Sequence, residues 1–213
     1  MNKKLKLLVA VSISFLPINS LRVFLYKKVF NYNISKSNIG FGTILVVQNC
    51  SLENVSIGKF NFFIGPFSLR IAKNTHIGSF NKFRCGSWVV SEEFKEMNFK
   101  HTLEIGENSS IGDKHFFDVS SLIKIGNNSW IAGNSSQFWT HGGDKKNNDI
   151  IIGNDCYIGS GVMFAPGSGV ADNSIVAMGA IVTKRYKKEN TLISPPSMRT
   201  LQFDPNKNPL FNS

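Results

Sequence analysis

The sequence predicts an all-β protein, a parallel β-helix, and three observations lead there. Ile152, Ile158, Phe164, Val170, Val176 and Val182 recur every six residues without a break. The residues after them are Gly153, Gly159, Ala165, Ala171, Ala177 and Thr183, and the fifth positions (Cys156, Val162, Ser168, Ser174, Ala180) are compact. A looser version of the same period runs back to Ile39. A six-residue period fits neither an amphipathic helix nor an alternating strand. A fixed short period with one aliphatic residue per unit is that of a β-helix, in which each unit is one flat face. The aliphatic residue points inward and stacks on its counterpart one coil away, and the small residues let the backbone turn. Each buried Ile or Val contributes roughly 1.5–3 kcal/mol.

In chain order, residues 1–34 read as a helical segment. Lys3, Lys4 and Lys6 precede the apolar run Leu7–Leu16, Pro17 breaks it, and Leu21, Phe24, Leu25, Val29 and Phe30 follow among Arg22, Lys27 and Lys28. The first run is too short to span a bilayer, and Pro17-Ile18-Asn19-Ser20 lacks a clear export cleavage site. Two roles stay open: a helix pair lying on an anionic membrane, or a cap over the first coil, whose backbone groups are otherwise unpaired.

Residues 35–187 carry the repeat. It starts at Ile39 and Leu45, passes Ile57, Ile64, Ile71 and Ile77 with irregular spacings of 7, 7 and 6, and reaches Phe83. Extra residues of this kind are expected at corners, as bulges. Residues 91–102 abandon the period and predict a projecting loop, of a length that usually serves a site or a contact. Ile105, Ile111, Val119, Ile125, Ile131 and Phe138 resume it, with two extra residues around Phe116–Asp118. A polar, Gly-led loop then spans 142–150. Residues 188–213 hold four of the seven prolines and read as an irregular tail.

The closing run Gly179-Ala180-Ile181-Val182-Thr183-Lys184, after unbroken units, resembles the hexapeptide-repeat acyltransferases, of the sugar or polysaccharide O-acetyltransferase type. The resemblance implies a left-handed, three-sided β-helix with three units per coil. The handedness comes from the resemblance alone, since parallel crossovers are otherwise right-handed. It further implies transfer of an acetyl group from acetyl-CoA to a sugar hydroxyl in bacterial surface polysaccharide synthesis (capsule, O-antigen or exopolysaccharide). A homotrimer with sites between subunits and no metal are also implied. N-acyl transfer to an amino sugar, and a non-catalytic scaffold, are the alternatives.

His141 stands where the resembled family keeps a general base, at the mouth of the second loop and before the perfect coils. Imidazole is the side chain best matched to taking a hydroxyl proton near neutral pH. His115 is the second catalytic candidate. Asp118 matches an acceptor-binding position before Ile123-Lys124-Ile125-Gly126, and Trp139 is a further acceptor candidate. Asp144 is a weaker candidate for orienting the imidazole, and His76 and His101 read as surface residues. By the same resemblance Ser160, Ala177, Met178 and Gly179 would hold the pantetheine arm of acetyl-CoA, and Thr183 and Lys184 would meet its nucleotide. Lys184, Arg185, Lys187 and Lys188 offer cations for its phosphates. Ile193-Ser194-Pro195-Pro196-Ser197 departs from the family's Gly-x-Pro-Ala segment.

Composition narrows the remaining classes. The 213 residues carry a net charge of +10, from 24 Lys and Arg against 14 acids. Residues 1–52 hold seven Lys or Arg and no acid, which suggests an anionic partner. No nucleic-acid recognition motif accompanies the charge. The histidines are too far apart in sequence for a three-histidine metal site, and a nucleotidyltransferase would need a Gly-rich domain ahead of the repeat. Three cysteines, none paired at metal-ligand spacing, do not call for an oxidising compartment. Because acetyl-CoA is a cytoplasmic donor, the expected location is the cytoplasm, with peripheral contact to the inner membrane face.

Overall fold

The structure is a computed structural model and describes residues 2–142 and 148–195. Among the described residues twenty-three short strands follow two helices, and successive strands pass in turn to three parallel sheets. Neighbours within a sheet are therefore one coil apart, and the architecture is a left-handed parallel β-helix of triangular section. Where the repeat is perfect, the coil step is 18 residues, three units of six. In the earlier coils it runs from 18 to 20, and it lengthens to 27 and 34 where the two loops leave the coil.

The 20-residue coils correct one expectation. The extra pair is not a corner bulge: it lengthens the first sheet, whose longer strands carry two inward residues each. Leu69 and Ile71 both point inward from Ser68–Ile71, as do Leu103 and Ile105 from Thr102–Ile105 and Ile123 and Ile125 from Leu122–Ile125. The two extra residues placed around Phe116–Asp118 belong to this longer side. In the third sheet the inward residue is Phe63, not Ile64, so the irregular spacings of the early repeat disappear.

The second and third sheets each contribute one inner column. The second stacks Ile39, Ile57, Ile77, Ile111, Ile131, Ile158 and Val176, all nearly inaccessible. The third stacks rings, with Phe63, Phe83, Phe117 and Phe138 at centroid separations of 4.3, 4.6 and 4.4 Å, and Phe164 at 5.1 Å beyond. Corners between the first two sheets turn on Asn54, Asn74, Asn108, Asn128 and Asp155, all in the left-handed region that Asn and Asp tolerate. Their side chains bond from coil to coil.

Helix α1 (Lys3–Ser14) and helix α2 (Asn19–Phe30) close the first coil. Arg22 is buried and donates to the carbonyls of Ile39 and Leu16. Asn19 accepts from the Ile39 N–H at 2.9 Å, and the Tyr26 and Tyr32 hydroxyls take up backbone groups of Thr43, Leu45 and Val47. The edge that an open β-helix end would expose is thus paired by side chains. At the other end Leu192–Ile193 pairs with Ile175–Val176, so the sheets continue past residue 187, where the tail was expected to begin.

Candidate active site

Strand Phe116–Asp118 stacks on Gln137–Phe138 of the next coil, with Phe117 opposite Phe138. This register brings Asp118, the last residue of its strand, beside Thr140 and His141. Asp118 is only 5% exposed. One carboxylate oxygen accepts from the Ser120 hydroxyl at 2.7 Å. The other accepts from the Thr140 N–H at 3.0 Å and lies 2.6 Å from His141 Nδ1. The Thr140 hydroxyl donates to the Asp118 carbonyl at 2.6 Å and accepts from the Ser121 N–H at 2.9 Å, fixing the corner on both sides.

Facing a carboxylate, Nδ1 of His141 carries the proton, which leaves Nε2 as the basic nitrogen. The His141 side chain is 44% exposed while its carboxylate partner is 7% exposed. A buried acid that holds a half-exposed imidazole in one tautomer is an orienting arrangement for a general base. Asp118 was expected to contact the acceptor. In the structure its carboxylate accepts from Ser120 and Thr140 and meets His141. Asp144, the other candidate for orienting the ring, lies outside the described residues.

His115 does not join this pair. It sits at the far end of strand Phe116–Asp118, at the corner between the second and third sheets, and is 1% exposed. There a buried side chain in each coil accepts the corner N–H of the next. Thr43 serves Asn61 (3.1 Å), Asn61 serves Asn81 (2.9 Å), Asn81 serves His115 (2.8 Å), and His115 Nδ1 serves Ser136 (3.1 Å). His115 is thus a rung in a buried hydrogen-bonded column, apart from the Asp118–His141 pair. Burial lowers its pKa to about 4, with Asp113 and the Gly133 carbonyl opposing the shift, so the ring is neutral at physiological pH.

The excursion after strand Lys82–Arg84 folds as two short 3-10 turns, Ser87–Val90 and Glu92–Met97. It packs beside His141. Trp88 meets Phe94 and Phe99 at 5.2 and 5.1 Å and His141 at 5.5 Å, each edge to face. Trp139 stands 6.2 Å from the same imidazole, is 36% exposed, and rests on Phe116. Lys100 ties the excursion down by an ion pair to Asp149, which also accepts from Ser121. Trp88 was missed from sequence because it lies where the period fails, and period was the guide. His101 is half-buried with an enclosed Nδ1, so it is not the plain surface residue expected.

The donor-side candidates divide between two corners. Thr183 and Lys184 follow strand Ile181–Val182 on the same edge as His141, two coils further on. Ser160, Ala177, Met178 and Gly179 lie on the opposite edge of the third sheet, where the Gly179 N–H donates to the Ser160 carbonyl at 2.9 Å. Gly161 and Gly179 take φ of 65° and 71°, and a Cβ built on either meets nothing within 4 Å. That corner is therefore open to a thin ligand approaching the backbone. Lys184 stands over the Tyr186 ring, and Arg185 donates to the Asp149 carbonyl, so Arg185 is engaged inside the protein. Lys187 and Lys188 are exposed.

All three cysteines are buried and unpaired. Burial, helped by Asp118, pushes the Cys85 thiol up to about 12, and burial raises Cys50 and Cys156 as well. None of them offers a thiolate nucleophile near neutral pH. Among the described residues no three His, Cys, Asp or Glu side chains cluster as metal ligands.

Units of six wound through three parallel sheets make the fold a hexapeptide-repeat β-helix. No protein-family model matches the chain. It is 24% identical over 172 residues to the bifunctional protein GlmU of Wigglesworthia glossinidia brevipalpis. That match takes in 78% of the chain but 32% of GlmU, so the chain spans about a third of that relative's length. Among solved structures it is similar to a hexapeptide-repeat acetyltransferase of Vibrio cholerae, with a TM-score of 0.47, 18% identity, and coverage of 94% of this chain and 89% of that one. It is similar also to the polySia-specific acetyltransferase NeuO, with a TM-score of 0.44, 17% identity and coverage of 77% and 74%. A maltose O-acetyltransferase of Clostridium difficile 630 gives 0.44, 16%, and coverage of 91% and 84%.

Proposed function

We propose that the protein is an O-acetyltransferase that moves an acetyl group from acetyl-CoA to a sugar hydroxyl in the making of a bacterial surface polysaccharide. The observation that carries this reading is the half-exposed imidazole of His141, held through Nδ1 by the buried Asp118 carboxylate. Nε2 takes the proton of the acceptor hydroxyl as its oxygen attacks the thioester carbonyl. The same proton then passes to the departing thiolate as the tetrahedral intermediate collapses. Asp118 stabilises the imidazolium that exists between the two transfers. Transfer is direct, in keeping with three buried, unreactive thiols.

The open glycine corner at Gly161 and Gly179 suits a pantetheine arm. It lies across the third sheet from His141, so a second subunit completes the site: His141 of one chain faces the donor corner of its neighbour. Trp130, Tyr157, Ile175 and Leu192 form an exposed apolar column on the outer face of the second sheet, which favours such self-association as a homotrimer. Release of CoA from acetyl-CoA, measured across a panel of sugar acceptors, tests the activity. Replacing His141 by Ala should cost ~10²–10⁴-fold in turnover with the fold intact. Near-normal turnover in that variant would remove His141 as the base. Sedimentation showing an active monomer would end the trimeric reading.

A further inference from the structure

The helix pair that closes the first coil has a second face, which the cap does not use. α1 buries Ala10, Ile13 and Ser14, and α2 buries Arg22 and Tyr26. Helical spacing then turns Leu5 and Leu8 away from the β-helix, and Leu21 and Phe24 of α2 likewise. All four are exposed, Leu8 at 67% and Phe24 at 52%. The terminal cap of a solenoid normally presents a polar outer surface to water, and this one presents aliphatic and aromatic side chains instead.

Lys4, Lys27 and Lys28 stand among these residues, exposed and not ion-paired among the described residues, while Lys3 and Lys6 line a groove against Val46 and Gln48 of the first coil. No acid occurs before Glu53. Apolar side chains interspersed with unopposed cations suit the boundary of an anionic bilayer, where the rings and aliphatic groups enter the acyl region and the ammonium groups meet phosphates. No helix among the described residues is long and apolar enough to cross a membrane.

We infer that the outer face of α1 and α2 docks the protein on an anionic phospholipid bilayer, with the helices lying in the interface and the β-helix standing off it. The cap and the dock are then opposite faces of one element. This inference is independent of the acetyl-transfer reading, because none of the docking residues touches the His141 site.

Co-sedimentation of the full chain with phosphatidylcholine vesicles, with and without phosphatidylglycerol, tests it at low and high salt. Wild-type protein should bind only the anionic vesicles, and high salt should release it. Replacing Lys27 and Lys28 together by Ser should weaken binding ~25-fold, about 5-fold for each lysine. The double change Leu8→Ser with Phe24→Ser should weaken it as well. Both variants should keep the wild-type melting curve and unchanged CoA release with a soluble acceptor, since only exposed side chains are altered. Wild-type protein left in the supernatant with anionic vesicles at low salt overturns the inference. So does wild-type binding by either variant. Self-association that the Leu8/Phe24 variant loses, without any vesicle binding by wild type, would assign the face to a second copy of the chain instead.

Discussion

The substitution Asp118→Asn isolates what the buried charge contributes, because the frame around it constrains how the new side chain can sit. The Thr140 N–H points at the oxygen that faces His141, at 3.0 Å. An amide NH2 in that place would set donor against donor, so the introduced amide keeps its oxygen toward His141 and Thr140. Its NH2 then faces the Ser120 hydroxyl, which can turn to accept. The imidazole tautomer therefore survives, and only the charge is lost. A hydrogen bond to a charged group is worth ~1.5–3 kcal/mol and a neutral one ~0.5–1.5, so the imidazolium-bearing transition state loses about 1–2 kcal/mol. That converts to a fall in kcat of ~5–30-fold, with KM for acetyl-CoA unchanged. The assay is CoA release, with the sugar acceptor that proves active, on the purified Asp118→Asn and His141→Ala variants. Wild-type kcat in the Asp118→Asn variant would refute the orienting role. Activity as low as that of the His141→Ala variant would refute the argument that Thr140 fixes the amide, since only a flipped tautomer costs that much.

Two further outcomes are expected. His115, with its pKa lowered to about 4 in the fold and ~6.5 unfolded, binds its proton first in the unfolded chain. Its contribution is therefore present above pH ~6.5 and lost as pH falls toward 4, about 3 kcal/mol in all. Asn serves as the same rung at positions 61 and 81, so His115→Asn should fold, flatten that part of the pH–stability curve in denaturant titrations, and leave turnover near normal. Trp88→Ala removes the ring that meets the imidazole edge to face, and an aromatic contact of ~0.5–1.5 kcal/mol implies a drop of about 2–10-fold in turnover. A larger drop accompanied by a lower melting temperature would mean that Trp88 chiefly holds the excursion together.

The closing coils were legible in the sequence because past Ile152 one aliphatic or aromatic residue in each unit of six faces inward, so burial and period coincide at Ile152, Ile158 and Phe164. The earlier coils were less so. A four-residue strand such as Ser68–Ile71 points two residues inward, and an unbroken apolar run conceals which of Phe63 and Ile64 faces the core. His141 could be found from its place before the regular coils. Asp118 was singled out too, but not its pairing with His141, since the two lie 23 residues apart and only the correct register puts Phe117 opposite Phe138. His115 looked chemical because its neighbours in the hydrogen-bonded column, Asn81 and Ser136, are different residue types. A column that alternates Thr, Asn, His and Ser leaves no repeat for the eye to follow. Trp88 and the 3-10 turns around it carry no periodic signal at all.

The stacking of Asp118 under His141 has a consequence for folding. In a solenoid each coil contacts only its neighbours, so order can spread from more than one starting point. The acid and the base belong to successive coils, and neither coil contains the pair by itself. Base strength is thus acquired at one identifiable moment of assembly, when the coil of Phe138 closes on that of Phe117. A slip of one residue there would send Asp118 to the other face of its strand and leave a β-helix of nearly ordinary appearance without an oriented imidazole. Fraying at Leu192–Ile193, by contrast, is confined to the coils beyond and leaves the pair untouched. On the proposed mechanism, catalytic competence reports the state of a single inter-coil joint, and it should appear in refolding with the kinetics of that joint, whether or not the far end of the solenoid has settled.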